Sequence, residues 1–194
     1  MLQKIGFLVL LLLSAAAAPG QNPDIRWLDR INGPLHPQAD RSWQAVSNSM
    51  APVGIAAPVA LFAVGLARHD RDLRTKSYTV GASFILSAAV TTALKVSVRR
   101  PRPFTTYPDI IWKKAKGGGF SFPSGHTAVA FATASSLSLA FPKWYVIAPS
   151  FVYAGAVAYS RMYLGVHYPS DLLGGILVGV GTSLLVFQVE KWLR

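Results

Sequence analysis

Three short stretches hold the residue types that could do chemistry. The first is Lys95-Val-Ser-Val-Arg-Arg-Pro-Arg102-Pro103, the second Pro123-Ser-Gly-His126, and the third runs from Ser160-Arg161 to His167 and Asp171. An ammonium and a guanidinium can clamp phosphoryl oxygens, Lys95 as a point charge and Arg102 through bidentate contacts. Snorkelling of Lys95 from a helix end to a membrane interface accounts for that residue equally simply. His167 and Asp171 stand four residues apart. If a helix starts near Pro169, they lie on adjoining faces of its first turn. Asp171 could then accept from one ring nitrogen and leave the other as a nucleophile. A structural His–Asp pair capping the helix fits the same spacing.

Ser124, Gly125 and His126 open an apolar run that follows the flexible Gly117-Gly-Gly119. A helix N-terminus offers unpaired N–H groups and the positive end of a dipole, both of which attract anions. Ser124 can cap such a helix, Gly125 lets an anion approach the backbone, and His126 sits where a proton could be delivered. Taken alone, a glycine-rich loop is only a turn and a Ser-Gly-His only a weak signal.

The elements that must position these groups are apolar. Of the 194 residues, 52% are hydrophobic and 14% charged, against about 25% charged in an average soluble domain. Five runs, 51–67, 78–98, 125–141, 145–159 and 172–189, contain a single Lys, Arg, Asp or Glu between them, Lys95. Each is near the roughly 17–25 residues that span a bilayer, with 51–67 and 145–159 on the short side. The expected fold is all-α: a polytopic transmembrane bundle of five core helices. A basic start, an apolar centre and small residues in 1–20 suggest a signal peptide, cut after Ala18 or Gly20, or else a sixth helix. Residues 21–50 mix Ile25, Trp27, Leu28 and Trp43 with charges, as an interfacial amphipathic segment would. Residues 51–194 then form the functional transmembrane domain.

The loop Arg68–Lys76 carries four Lys/Arg, which places it inside by the positive-inside rule. The three chemical stretches then share the outer side. That side also holds Arg99, Arg100, Arg102, Lys113, Lys114 and Lys116, a breach of the rule that an anion-binding role for part of the cluster explains. The net charge of +11 raises nucleic-acid binding. Bases in short loops between apolar runs suit anionic head groups better. Trp112, Trp144 and Trp192 lie near run ends, as an interfacial belt requires. The glycines between Gly174 and Gly181 indicate close helix packing within the bundle. The absence of cysteine excludes disulfides and thiolate metal sites.

Lys-x6-Arg-Pro, Pro-Ser-Gly-His and Ser-Arg-x5-His-x3-Asp, complete and in this order, resemble the motifs of the type 2 phosphatidic acid phosphatase superfamily. The resemblance covers roughly residues 50–190. It implies a metal-independent membrane phosphatase without cofactor, with His167 as the nucleophile that forms a phosphohistidine. It further implies Asp171 as the orienting partner, His126 as the acid that protonates the leaving oxygen, and Lys95, Arg102, Ser124, Gly125 and Arg161 as the phosphoryl-binding set. Implied substrates are undecaprenyl diphosphate, phosphatidic acid, phosphatidylglycerol phosphate and the phosphates of lipid A, taken from the lipid at the periplasmic face of a bacterial-type inner membrane. Beyond lipids no partner is expected, neither nucleic acid nor an obligate protein. A vanadium-dependent haloperoxidase shares the motifs but resembles large soluble proteins. A lipid or anion transporter without catalysis would have no need for two histidines and an aspartate at this spacing.

Overall fold

Prolines and a capping carboxylate punctuate the chain into helices. The computed structural model describes residues 23–193. The helices are α1 (Pro23–Asn32), α2 (Pro37–Asn48), α3 (Met50–Ala67), α4 (Arg71–Val98), a short α5 (Pro103–Thr106), α6 (Gly125–Ala140), α7 (Trp144–Tyr163) and α8 (Pro169–Leu193). Prolines open α1, α2, α5 and α8, where the missing N–H would have had no helical partner. Asp70 caps α4 by accepting from the Leu73 N–H at 3.0 Å. Arg99, in the left-handed region at φ 52°, ends it, and Pro101 follows.

Each expected apolar run falls on a helix. The largest boundary difference is at α4, which starts at Arg71 rather than Tyr78 because the Asp70 cap lies on the polar side of the run. Residues 1–20, with the expected signal peptide or sixth helix, lie outside the described residues. Among the described residues three stretches, Pro37–Ala67, Arg71–Thr106 and Pro169–Leu193, are long and apolar enough to cross a membrane. The helix α6 has 16 residues, about 24 Å at the α-helical rise, less than the roughly 30 Å hydrocarbon core. It sits inside the bundle, packed by α4, α7 and α8 and touched by α3.

The bundle carries its polarity inward. On α4 the hydroxyls Thr79, Ser83, Ser87 and Thr91 recur every fourth residue and are all buried, while Tyr78, Ile85 and Val96 face outward. Thr79 and Ser83 satisfy their hydroxyls on the carbonyls one turn back, as serines and threonines do where water is scarce. Large apolar side chains also cover the outer faces of α3 and α8, among them Val59, Leu173 and Leu185. Between helices in lipid the hydrophobic effect offers little, and small residues supply the close packing instead.

Small residues explain how tightly α6 meets α8. Ala128 and Ala132 of α6 are fully buried. A Cβ at Gly175 would come within 2.7 Å of the Ser124 carbonyl oxygen, and one at Gly179 within 2.3 Å of the Ala128 carbonyl oxygen. Ser183 completes the seam by donating to the Ala132 carbonyl at 2.8 Å. The expected packing role therefore holds for Gly174, Gly175 and Gly179, whereas Gly181 faces open space.

Ahead of the first long apolar helix, α1 and α2 pack on the bundle. Leu28 of α1 is fully buried while its neighbour Trp27 is 63% exposed. Both α1 and α2 pack against α7, and α1 also reaches α8. Trp43 of α2 stacks on Tyr159 and Tyr163 with ring centroids 4.8 and 5.9 Å apart.

The seam yields a direct prediction. Gly179→Ala should lower the melting temperature of the detergent-solubilised protein by several degrees, since the added carbon meets backbone, whereas Gly181→Ala should not lower it. Equal effects in a thermal unfolding scan would contradict the packing assignment.

Candidate active site

The ends of α4, α6, α7 and α8 that carry the three motifs come together at one end of the bundle. Lys95 is in the last turn of α4, His126 in the first turn of α6, Arg161 in the last turn of α7 and Asp171 in the first turn of α8. His167 lies on the loop between α7 and α8. At the other end Lys76 stands over the Phe141 ring at 4.9 Å, near Glu190 and Lys191.

The centre of the site is Asp171, which has no solvent exposure. One carboxylate oxygen, Oδ1, accepts from Arg100 at 2.7 Å. The other, Oδ2, takes the Tyr168 N–H at 2.9 Å, the Ser121 hydroxyl, and Nδ1 of His167 at 3.3 Å. Its backbone carbonyl accepts the Ser124 N–H at 2.9 Å, which ties the start of α8 to the start of α6.

His167 is 2% exposed, and its other nitrogen, Nε2, lies 3.4 Å from the Arg102 guanidinium. Burial pushes the imidazole down to about 4, outweighing the hydrogen bond and charge of Asp171, which pull the other way. The ring is therefore neutral near pH 7. With Nδ1–H directed at Asp171, the lone pair resides on Nε2.

Three cations share this end of the bundle, with Arg102 next to that nitrogen. Arg102 is 8% exposed and donates to the carbonyls of Val166 at 2.8 Å, Gly118 at 2.9 Å and Gly119 at 3.3 Å. It thereby ties the glycine loop to the residue before His167. Lys95 turns inward to donate to the carbonyls of Phe120 and Ser121 at 2.7 and 3.2 Å, so plain snorkelling does not describe it. Two of its three N–H donors are used and one is left. Arg161 is 4% exposed, bonded to the Ser47 hydroxyl of α2, and its buried Nε has no partner. Lys95, Arg102, Arg161 and His167 all act electrostatically on His126.

Ser124 occupies the N-cap position of α6, but its hydroxyl makes no capping hydrogen bond. It accepts instead from the Thr127 hydroxyl at 3.0 Å, so the expected side-chain cap is corrected. The first backbone N–H groups of α6 keep no side-chain partner of this kind. A Cβ at Gly125 would make only ordinary contacts, 3.5 Å to Thr91 and 4.0 Å to Lys95. Packing alone does not demand glycine there.

His126 and Arg161 line an open cleft of about 630 Å³ together with Lys113, Lys116, Gln44 and Asn48. The expected outer basic cluster is divided: Arg102 stands beside His167, Lys113, Lys114 and Lys116 line the cleft, and Arg100 and the Lys114 ammonium are engaged in internal pairs. Lys114 is buried, donates to the Asn32 and Pro34 carbonyls, and pairs with Asp40 at 3.4 Å. Among the described residues no cluster of three His, Cys, Asp or Glu could hold a metal ion.

Residues that spacing did not reveal complete the frame. They are Arg100 and Ser121 on Asp171, Ser47 on Arg161, Asp24 on Arg100, and Asn32. The Asn32 amide donates to the carbonyls of Trp112 and Tyr163 and accepts the Trp112 N–H. Of these residues, Arg100 lies within the first motif and Ser121 just before the second.

Comparison with known proteins shows the family. The sequence model of the PAP2 superfamily matches residues 77–194. An undecaprenyl-diphosphatase of Sulfolobus acidocaldarius is 34% identical over 113 residues, 58% of this chain and 54% of that one. A lipid A 4'-phosphatase of Porphyromonas gingivalis is 28% identical over 84% of this chain and 71% of its own. The match thus spans about half the length of the first relative. Among solved structures, a transmembrane phosphatidylglycerolphosphate phosphatase of Bacillus subtilis superposes with TM-score 0.76 at 22% identity, covering 98% of this chain and 96% of its own. The chain belongs to the PAP2 superfamily.

The arrangement predicts what Arg102→Lys should do. An ammonium cannot reach three diverging carbonyls as the guanidinium fork does. Proteinase K should then cut the Gly117–Gly119 loop faster in Arg102→Lys than in the unmodified protein. Unchanged cleavage would show that the loop does not depend on Arg102.

Proposed function

We propose that the protein is a metal-independent membrane phosphatase that removes a phosphoryl group from a lipid phosphate or diphosphate through a phosphohistidine. The observation that carries this reading is the buried His167, held by Asp171 through Nδ1 with Nε2 turned to Arg102.

The steps follow from the atoms. Nε2 of His167 attacks phosphorus, and the bond from phosphorus to the lipid oxygen breaks. Lys95, Arg102, Arg161 and the free N–H groups at the start of α6 neutralise the equatorial oxygens. Ser124 and Gly125 set that helix mouth, with glycine leaving the phosphoryl room to approach. His126 gives its proton to the departing oxygen. Water then attacks the phosphohistidine, His126 takes a proton from it, the P–N bond breaks and phosphate leaves. Through both steps Asp171 balances the charge that develops on the His167 ring.

The substrate reading rests on the cleft. Lys113, Lys116, Arg161 and His126 line it with two amides and no carboxylate, which favours a head group with more than one anionic group. Undecaprenyl diphosphate and lipid A fit that description better than phosphatidic acid. The undecaprenyl-diphosphatase and lipid A 4'-phosphatase relatives support the same choice.

For the membrane arrangement, five core spans are read from the five apolar runs, and the positive-inside rule puts the site on the periplasmic face of a bacterial-type inner membrane. Residues 51–194 form the phosphatase domain, with α1 and α2 packed on it at the end that carries the site. Exposed Trp112 at one end and Trp144 and Trp192 at the other support two interfacial belts.

The test is phosphate release by the purified protein in detergent with a chelator present. Release should require His167 and vanish in His167→Ala. His126→Ala should slow alkyl lipid phosphates far more than a p-nitrophenyl phosphate, whose leaving group needs no proton. Replacing Lys95, Arg102 or Arg161 should each cost about 10²–10³ in rate. Equal losses on good and poor leaving groups would contradict the acid role of His126.

A further inference from the structure

Behind Asp171 stands a second carboxylate that none of the motifs contains. Arg100 places NH1 2.7 Å from Asp171 Oδ1 and 2.7 Å from the Ser170 hydroxyl, and NH2 2.9 Å from Oδ2 of Asp24. Asp24 in turn accepts the Ser170 N–H on Oδ1 at 2.9 Å and the Ser170 hydroxyl on Oδ2. The guanidinium carbon lies over the Tyr168 ring, 3.9 Å from its centroid. Asp24 belongs to α1, well before residue 77, where the family match begins.

We propose that Asp24 is a positioning residue for the reaction, acting through Arg100 and the first turn of α8 to set the orientation and effective charge of Asp171. The inference rests on His167 being the nucleophile, as proposed above.

Two physical effects support it. Asp24, Arg100 and Asp171 form a row with net charge of one negative unit, its inner end on His167. Without the Asp24 charge, Arg100 neutralises Asp171 and weakens its hold on the Nδ1 proton, so the ring is freer to move that proton to Nε2 and lose its nucleophilic lone pair. Asp24 also satisfies an N–H at the start of α8 that has no helical partner, which fixes the turn that carries Asp171. A residue that merely stapled α1 to the bundle would affect melting and leave the His167 ring unchanged.

The experiment uses the full-length protein in detergent with ¹⁵N-labelled histidine. His167 is assigned by its disappearance in His167→Gln, and turnover is followed on undecaprenyl diphosphate. In the unmodified protein the ring nitrogens should report the Nδ1–H tautomer. Asp24→Asn should shift the population toward Nε2–H and lower kcat about tenfold at unchanged KM, the scale of one coupled contact. Arg100→Lys, which keeps the charge but loses the fork, should do the same, and Asp24→Asn should add nothing in its background. A folded Asp24→Asn with unaltered tautomer and kcat overturns the proposal, as does an additive loss in the double variant. Should Asp24→Asn not fold, an unaltered His167 spectrum in Arg100→Lys overturns it. An unmodified protein that turns over no lipid phosphate refutes the phosphatase reading, and the tautomer comparison still decides the role of Asp24.

Discussion

A carboxylate with no access to water must be fully paired or give up its charge, and Asp171 is such a carboxylate. Its four partners arrive from three places: Arg100 after α4, Ser121 before α6, and His167 and the Tyr168 N–H after α7. Satisfying one charge therefore draws together the ends of the helices that bear the motifs. Removing a partner from a buried pair of this kind typically costs about 3–5 kcal/mol, so the network that holds the fold at this end is the network that orients His167.

The rest of the bundle makes that end possible. Glycines and alanines let α8 lie against α6 closely enough for the Ser124 N–H to reach the Asp171 carbonyl. The inward hydroxyls of α4 and the outward leucines, valines and isoleucines invert the pattern of a soluble protein, as expected where lipid replaces water on the outside. With α6 enclosed by its neighbours, its N-terminus and His126 open onto the cleft.

Much of this was legible in the sequence because it is periodic or local. Long apolar runs announced the helices, and three spaced motifs announced Lys95, Arg102, His126, Arg161, His167 and Asp171, which the fold brings to one end. Pairings between distant segments were not legible. Arg100 looks like any other member of a basic cluster, and only the fold brings it to Asp24, 76 residues away in sequence. Lys114 counted as an outward base yet is buried on Asp40. Ser124 carries the expected cap position, but its hydroxyl accepts from Thr127 and makes no capping hydrogen bond. The segment 21–50 showed amphipathicity without showing what its apolar side would cover, namely α7 and α8.

The central claim is that phosphorus bonds transiently to His167. Rapid acid-free quenching during turnover of undecaprenyl diphosphate, followed by peptide mass spectrometry, tests it most directly. The account predicts one added phosphoryl group on the peptide containing His167, stable to alkali, labile to acid and absent from His167→Ala. A phosphoryl group found instead on His126 or on a carboxylate would contradict it.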